Sequence, residues 1–315
     1  MHVPLAFHGL LLSGRTAMSR DAVGGMNWSA ALRLGRVSNL PTVWTNVLAG
    51  IVLSGAALTV WPSLLLLLSL SLFYVAGMFL NDAFDREFDR RNRPDRPIPA
   101  GDVTAVTVFV YGFGLLACGL ALLFAVGYGT LAATGWRAPA AGTLLAAVIV
   151  LYDAWHKENL AGPFVMGLCR LLVYVVAGVA VAGALPGRLV LAAIVALCYL
   201  IGLTYVAKQE SLRRVQNLWP LVFLAVPFVY GAPFAGTGAA TLVLYVLLLG
   251  TVLAALALLF RSGAPDVPHA VMLLIAGISL LDGLFMAAQG QPLLAAAAVA
   301  AFLLTLVLQR FVSGT

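Results

Sequence analysis

Asn81, Asp82, Asp85 and Asp89 fall together in the stretch FLNDAFDREFDRRNRPDRPIPAG, directly after the oily run PSLLLLLSLSLFYVAGM. Asn81, Asp85 and Asp89 recur every fourth residue, so a helix puts them on one face, and Asp82 borders that face. Carboxylates at this spacing repel one another unless positive charge sits among them. Mg²⁺ supplies such charge: it takes hard oxygen ligands, typically a few carboxylates, with phosphate oxygens and waters completing its shell. Arg93 and Arg96 follow on a loop where Pro94, Pro97 and Pro99 end the helix and stiffen the chain. Guanidinium forks suit phosphate oxygens. Metal-binding carboxylates beside phosphate-binding arginines, at the end of an apolar helix, describe a site for a lipid diphosphate. The plain alternative is a solvated loop whose acids balance its arginines, and it leaves the one-sided spacing unexplained.

The elements that position these residues are membrane helices. The chain is 62% hydrophobic and only 10% charged, with a mean hydropathy of +1.02, far from a soluble domain. Apolar runs recur at 40–59, 63–81, 103–126, 138–153, 161–183, 187–207, 217–233, 237–260, 267–288 and 292–311. Most are long enough to cross about 30 Å of hydrocarbon, and helices satisfy their own backbone groups there. The fourth and seventh are short, so the expectation is an all-α, polytopic bundle of nine to ten helices. Residues 1–36 read as an N-terminal leader and 37–315 as a single transmembrane domain. Cys118, Cys169 and Cys198 share no ligand-like spacing and read as packing residues. The basic balance marks cytoplasmic loops rather than a nucleic-acid partner.

With the amino terminus inside, fifteen Lys and Arg residues fall on internal segments and two, Arg137 and Arg188, outside; Arg170 lies within a helix. This asymmetry predicts cytoplasmic active-site loops in an integral membrane protein; the membrane expected is a bacterial inner membrane. No internal repeat of the kind that builds secondary transporters is visible.

The stretch NDAFDREFDRRNRPDRPIPAG resembles the first aspartate-rich signature of the UbiA superfamily of intramembrane prenyltransferases, N-D-x-x-D-x-x-x-D followed by R-P-(L/I)-P-x-G. Upstream, LRLGRVSNLPTVWTNVLAG is similar to that family's approach to its first helix. The resemblance implies a helical bundle, usually of nine helices, around a cavity open sideways to lipid. It also implies Mg²⁺-dependent transfer of a prenyl group from a prenyl diphosphate to a lipophilic or aromatic acceptor. Carried onto this chain, Asn81, Asp82, Asp85 and Asp89 take the metal roles, and Arg93 and Arg96 the diphosphate roles. In LYDAWHKENLAGPF, Tyr152 and Lys157 are the counterparts of a Tyr followed by a basic pair, with Lys157 reaching the diphosphate. Asp153 and His156 are additions; His156 reads as a proton acceptor or as incidental.

A second D-x-x-x-D cluster of the superfamily is replaced here by LTYVAKQESLRRVQN, whose only carboxylate is Glu210 amid Lys208, Arg213 and Arg214. This pattern resembles a divergent, EboC-like subgroup. Either the bases, Lys208 foremost, neutralise diphosphate directly, or ionisation is lost and the protein only binds or moves an isoprenoid. Deeper in the bundle, Arg170 and Asp282 are costly near the bilayer centre unless paired or hydrated. They read as a mutual pair or as cavity residues docking an acceptor head group, with Asn46 and Tyr74 beside them. Phe79, Tyr74 or Trp155 are candidates to shield an allylic cation.

Overall fold

The computed structural model describes residues 26–129, 133–157, 159–212, 219–261, 265–312 and 314. Among them there is no strand; the order is α1 (Trp28–Leu34), α2 (Leu40–Ser54), α3 (Val60–Phe84), α4 (Arg86–Asn92), α5 (Ala105–Gly129) and α6 (Arg137–Trp155). There follow α7 (Gly162–Ala182), α8 (Gly187–Leu212), α9 (Val226–Ala235), α10 (Ala239–Leu259), α11 (Val267–Ala288) and α12 (Pro292–Leu308). Short 3-10 turns at Val37–Asn39 and Trp219–Ala225 lead into α2 and α9.

Among the described residues each of the ten apolar runs is helical over most of its length, and eight of the segments are long and apolar enough to cross a membrane. The fourth run, which looked short, extends from Arg137 to Trp155 and is one of the eight. Trp219–Ala235 and Pro292–Leu308 are the shorter ones. Pro220, Pro227 and Pro233 punctuate the former; each removes a backbone donor, and the first half settles into a 3-10 turn before α9 begins. The stretch 28–36, expected as the end of a leader, is folded onto the bundle: Asn27 caps α1 by accepting from the Ala30 amide at 2.7 Å. Leu34 of α1 is fully buried against Phe79 and Ala83 of α3 and Val103 and Val108. Residues 1–25 lie outside the described residues.

Beside the small core under α1, the bundle has two large apolar cores that share α2 and α7. Val43, Val47 and Ile51 of α2 pack with α3, α5 and α6, whereas Ala49, Val52 and Leu53 face α8, α10, α11 and α12. Between lipid-soluble helices there is no water to expel, so close van der Waals packing over small residues does the holding. Gly50 is the tightest point of the central seam: a Cβ there would sit 2.8 Å from Ala177 Cβ and 3.1 Å from the Tyr174 carbonyl oxygen. On the flank, Gly119 of α5 lets the Phe73 ring lie against its backbone, and its carbonyl accepts from Ser69 Oγ at 2.8 Å.

Gly50→Val should therefore destabilise the bundle by about 1–3 kcal/mol, the usual cost of overpacking. Gly114→Ala, where an added Cβ meets nothing within 4 Å, should be neutral or stabilising. Thermal unfolding in detergent checks the pair; equal midpoints for both variants would contradict this account of the seam.

Candidate active site

The acidic row survives the end of α3. The backbone ladder runs on from α3 through Asp85 into α4: the Asp85 amide donates to the Asn81 carbonyl at 2.9 Å, Asp89 to Asp85 at 2.9 Å, and Arg93 to Asp89 at 2.8 Å. Asn81, Asp85 and Asp89 thus keep one face through α4, as the spacing requires. Beyond Arg93 the proline-rich loop turns on itself, with the Ala100 amide on the Arg96 carbonyl and Gly101 in the left-handed region at φ 81°. Val103 and Ile98 pin the loop to the small core under α1, and Arg33 adds an ion pair to Asp102. Arg96 is thereby aimed back at the acids.

Asp82, Asp85 and Asp89 are all buried, and each is met by a base. Asp82 Oδ1 accepts from Arg96 at 2.7 Å and from Arg36 at 2.9 Å. The same Arg96 nitrogen reaches Asp89 Oδ2 at 3.1 Å. Asp85 Oδ2 lies 2.9 Å from Lys157 Nζ and 3.5 Å from His156 Nε2. Lys157 also sits 3.8 Å from the Phe88 ring centre, a cation–π contact. Burial opposes ionisation of Asp85, yet His156 and Lys157 outweigh it and hold its carboxyl below the ordinary value. For Asp89 burial wins, with Asp82 and Asp85 adding repulsion, so its carboxyl is pushed up despite Arg96. Burial, with Arg36 nearby, likewise draws Arg96 below its ordinary value against the pull of Asp82 and Asp89.

Arg36 is the site residue that sequence reading missed, counting it only as a topology marker. It stands at φ 42°, ψ 47°, a left-handed conformation that costs a non-glycine residue about 1–2 kcal/mol. That turn, between α1 and the 3-10 helix, swings its guanidinium onto Asp82 and within 3.5 Å of Asn81 Oδ1. An arginine set directly after Gly35, where one helix stops and the next begins, was the available signal. His156 is part of the site, stacked on Tyr152 with ring centres 4.6 Å apart.

Among the described residues no three His, Cys, Asp or Glu side chains converge into a metal cage; the acids are held apart on their bases. Their donor chemistry nevertheless fits Mg²⁺, being all oxygen, and Asp89 Oδ1 is buried with no hydrogen-bond partner among the described residues. A cation or a hydrogen-bond donor would satisfy such an oxygen.

Next to the acids an apolar cavity of ≈ 100 Å³ opens between α2, α3, α6 and α7, lined among others by Phe73, Tyr74, Met78, Tyr152, Asp153 and Arg170. Its polar end adjoins the acidic row: Asn81 Nδ2 donates to Asp153 Oδ1 at 3.2 Å, and Arg36 touches Met78 Sδ at 3.4 Å. Arg170 and Asp282 do not pair directly. Asn46 stands between them, accepting from Arg170 at 3.2 Å and donating to Asp282 Oδ1 at 3.2 Å. Thr45 at 2.6 Å and the Tyr174 hydroxyl complete the shell of Asp282, which is fully buried. Asn46 is therefore behind the cavity wall rather than on it, because both ends of its amide are taken by these two charges. Phe79 is spent in the core under α1 and Trp155 is exposed, which leaves Tyr74 as the cavity's own aromatic of the three named from sequence.

Lys208, in the last turns of α8, donates to the Asn159 carbonyl at 2.8 Å and packs on Gly162. Arg93, half-buried, begins the loop that carries Arg96. The Glu210 side chain, Arg213 and Arg214 lie outside the described residues.

The bridging role of Asn46 makes a measurable statement. Arg170→Ala and Asp282→Ala should be non-additive in unfolding free energy by about 0.5 kcal/mol or more, and the coupling should vanish in an Asn46→Ala background. Additivity in the parent background would sever the proposed link.

The model of the UbiA prenyltransferase family matches residues 41–278. A digeranylgeranylglyceryl phosphate synthase of Methanoculleus marisnigri is 39% identical over 97 residues, which are 31% of this chain and 34% of that relative. The match thus spans about a third of the relative's length. The solved structure of a UbiA homologue from Aeropyrum pernix superposes with a TM-score of 0.61 at 17% identity, covering 84% of this chain and 96% of that one. A UbiA homologue from Archaeoglobus fulgidus, solved bound to GPP and Mg²⁺, superposes with a TM-score of 0.50 at 17% identity over 87% and 99% of the two chains. These likenesses show a shared fold. Since the family match covers most of the membrane bundle and contains the whole acidic row, this integral membrane protein belongs to the UbiA prenyltransferase family.

Proposed function

We propose that this chain is an intramembrane prenyltransferase, moving a prenyl group from a prenyl diphosphate to a lipophilic acceptor with the help of Mg²⁺. One observation carries the reading: three buried carboxylates interlocked with Arg36, Arg96 and Lys157 at the polar end of an apolar cavity. The relative named as a digeranylgeranylglyceryl phosphate synthase and the homologue bound to GPP and Mg²⁺ support the substrate class.

In this reading Asp82, Asp85 and Asp89, with the Asn81 amide oxygen, hold Mg²⁺. Mg²⁺, when bound, supplies positive charge against the departing diphosphate. Arg93, Arg96 and Lys157 grip phosphate oxygens, the guanidinium forks fixing orientation and the ammonium acting as a point charge. Lys208 adds charge from the last turns of α8. The prenyl chain lies in the cavity, where Phe73, Tyr74 and Tyr152 exclude water and offer ring faces to the allylic carbon as it becomes cation-like. The bundle end bearing these groups faces the cytoplasm by the arginine count. The relatives named above are archaeal, and nothing in the site depends on whether the host membrane is bacterial.

A second reading, a carrier that binds isoprenoid diphosphate without turnover, is favoured by one feature: the stretch LTYVAKQESLRRVQN has a single carboxylate, Glu210, where the first acidic row has three aspartates. Labelled geranylgeranyl diphosphate, Mg²⁺ and a panel of lipid acceptors separate the two, since prenyl transfer excludes a carrier and binding without transfer excludes an enzyme.

Asp85→Asn or Asp89→Asn should abolish Mg²⁺-dependent diphosphate binding in calorimetry while the bundle stays folded; unchanged binding in both would refute the metal assignment. Binding should saturate near one Mg²⁺ per diphosphate. Lys208→Ala should weaken it about tenfold, the scale of a lost charge-assisted contact. No change in binding or rate on that substitution would remove Lys208 from the site.

A further inference from the structure

Asp153 differs from the other carboxylates of the site. It is 4% exposed, lines the cavity rather than the basic mouth, and is met by no Lys or Arg within ion-pair distance among the described residues. Its Oδ1 is taken by Asn81 Nδ2 at 3.2 Å, and its Oδ2 is buried without a hydrogen-bond partner among the described residues. An ionised carboxyl only accepts and a protonated one also donates, so in either form this oxygen wants a hydrogen-bonding partner, and leaving it unmet in apolar surroundings is expensive. The neighbouring walls are Tyr152, Cys169, Ile149 and Gly77. Arg170, on the same cavity wall, disfavours an ammonium, whereas a neutral hydroxyl suits both the apolar lining and the unmet oxygen. Asp153 also lies one hydrogen bond from Asn81, which borders the acids and bases proposed to hold the diphosphate. A group bound to Oδ2 would therefore sit where the cavity meets the diphosphate.

We propose that Asp153 is the specificity-determining residue for the acceptor: its Oδ2 receives the hydrogen bond of an acceptor hydroxyl and selects an alcohol-bearing lipid over its capped counterpart. The proposal rests on the transferase reading for its meaning, and its test stands apart from that reading.

The informative substitution is Asp153→Asn. The new side chain keeps an oxygen for Asn81 to donate to and puts at the free position an amide nitrogen that cannot accept, at constant shape. In phosphatidylcholine nanodiscs, native mass spectrometry can count bound 1-O-octadecylglycerol against its dimethyl ether, 1-O-octadecyl-2,3-dimethoxypropane. The parent protein should prefer the diol by about tenfold or more, as sites built around a hydroxyl do. Asp153→Asn should bring that ratio to about one, with geranylgeranyl diphosphate and Mg²⁺ binding kept within about twofold. An equal ratio in both proteins overturns the proposal. So does a parallel loss of diphosphate binding, which would make Asp153 a support for Asn81 alone. If the ratio falls as expected but the parent protein transfers no prenyl group, the hydroxyl site stands and the transferase reading fails.

Discussion

Asp82 is the point on which this site turns. Its buried carboxylate takes one hydrogen bond from Arg36, ahead of the first span, and another from Arg96, on the loop after α4. Two segments far apart in the chain are thereby fastened to the end of α3. Buried pairs of this kind are weak evidence of net stability, because desolvation offsets much of the attraction, but removing one partner strands a charge and is costly. The constraint is therefore one of specificity. It obliges the chain to leave α1 through a left-handed arginine and obliges the proline-rich loop to fold back under Ile98 and Val103.

The second anchor lies deeper and uses the same logic with neutral intermediaries. Arg170 faces the cavity while Asp282 is enclosed by α2, α7 and α11, and Asn46 separates the two charges. Thr42, Thr45 and Tyr174 fill the remaining positions. Because α2 and α7 also form the Gly50 seam, one helix pair sets both the spacing of the cores and the position of the cavity's guanidinium.

Much of this was legible in the sequence, for physical reasons. Long apolar runs can only be helices in lipid, so the segmentation held with changes at helix ends. The four-residue spacing of Asn81, Asp85 and Asp89 carries through the end of α3 because the backbone ladder does. What the sequence concealed were partners brought together by tertiary packing. Arg36 was one more basic residue in a basic loop, and its distinguishing feature is a backbone angle. Asn46 sat on an apolar helix at a plausible cavity position, and only the approach of α7 and α11 shows it turned to the wall. The proline content of 219–235 was visible, but whether such a segment kinks or simply shortens depends on its neighbours.

A site built from acids already matched by bases has a consequence for what can enter it. A lone anion would draw Arg96 and Lys157 away and leave Asp82, Asp85 and Asp89 repelling one another in a buried space. A lone cation would leave the bases unmatched in the same way. A ligand bearing both signs, such as a diphosphate with a divalent cation, exchanges with both sets at once and strands neither. Asp153, outside this exchange and without a base of its own, is left for a neutral donor. On the proposed reading, the distribution of partners among these four carboxylates would separate a charged donor substrate from an uncharged acceptor group.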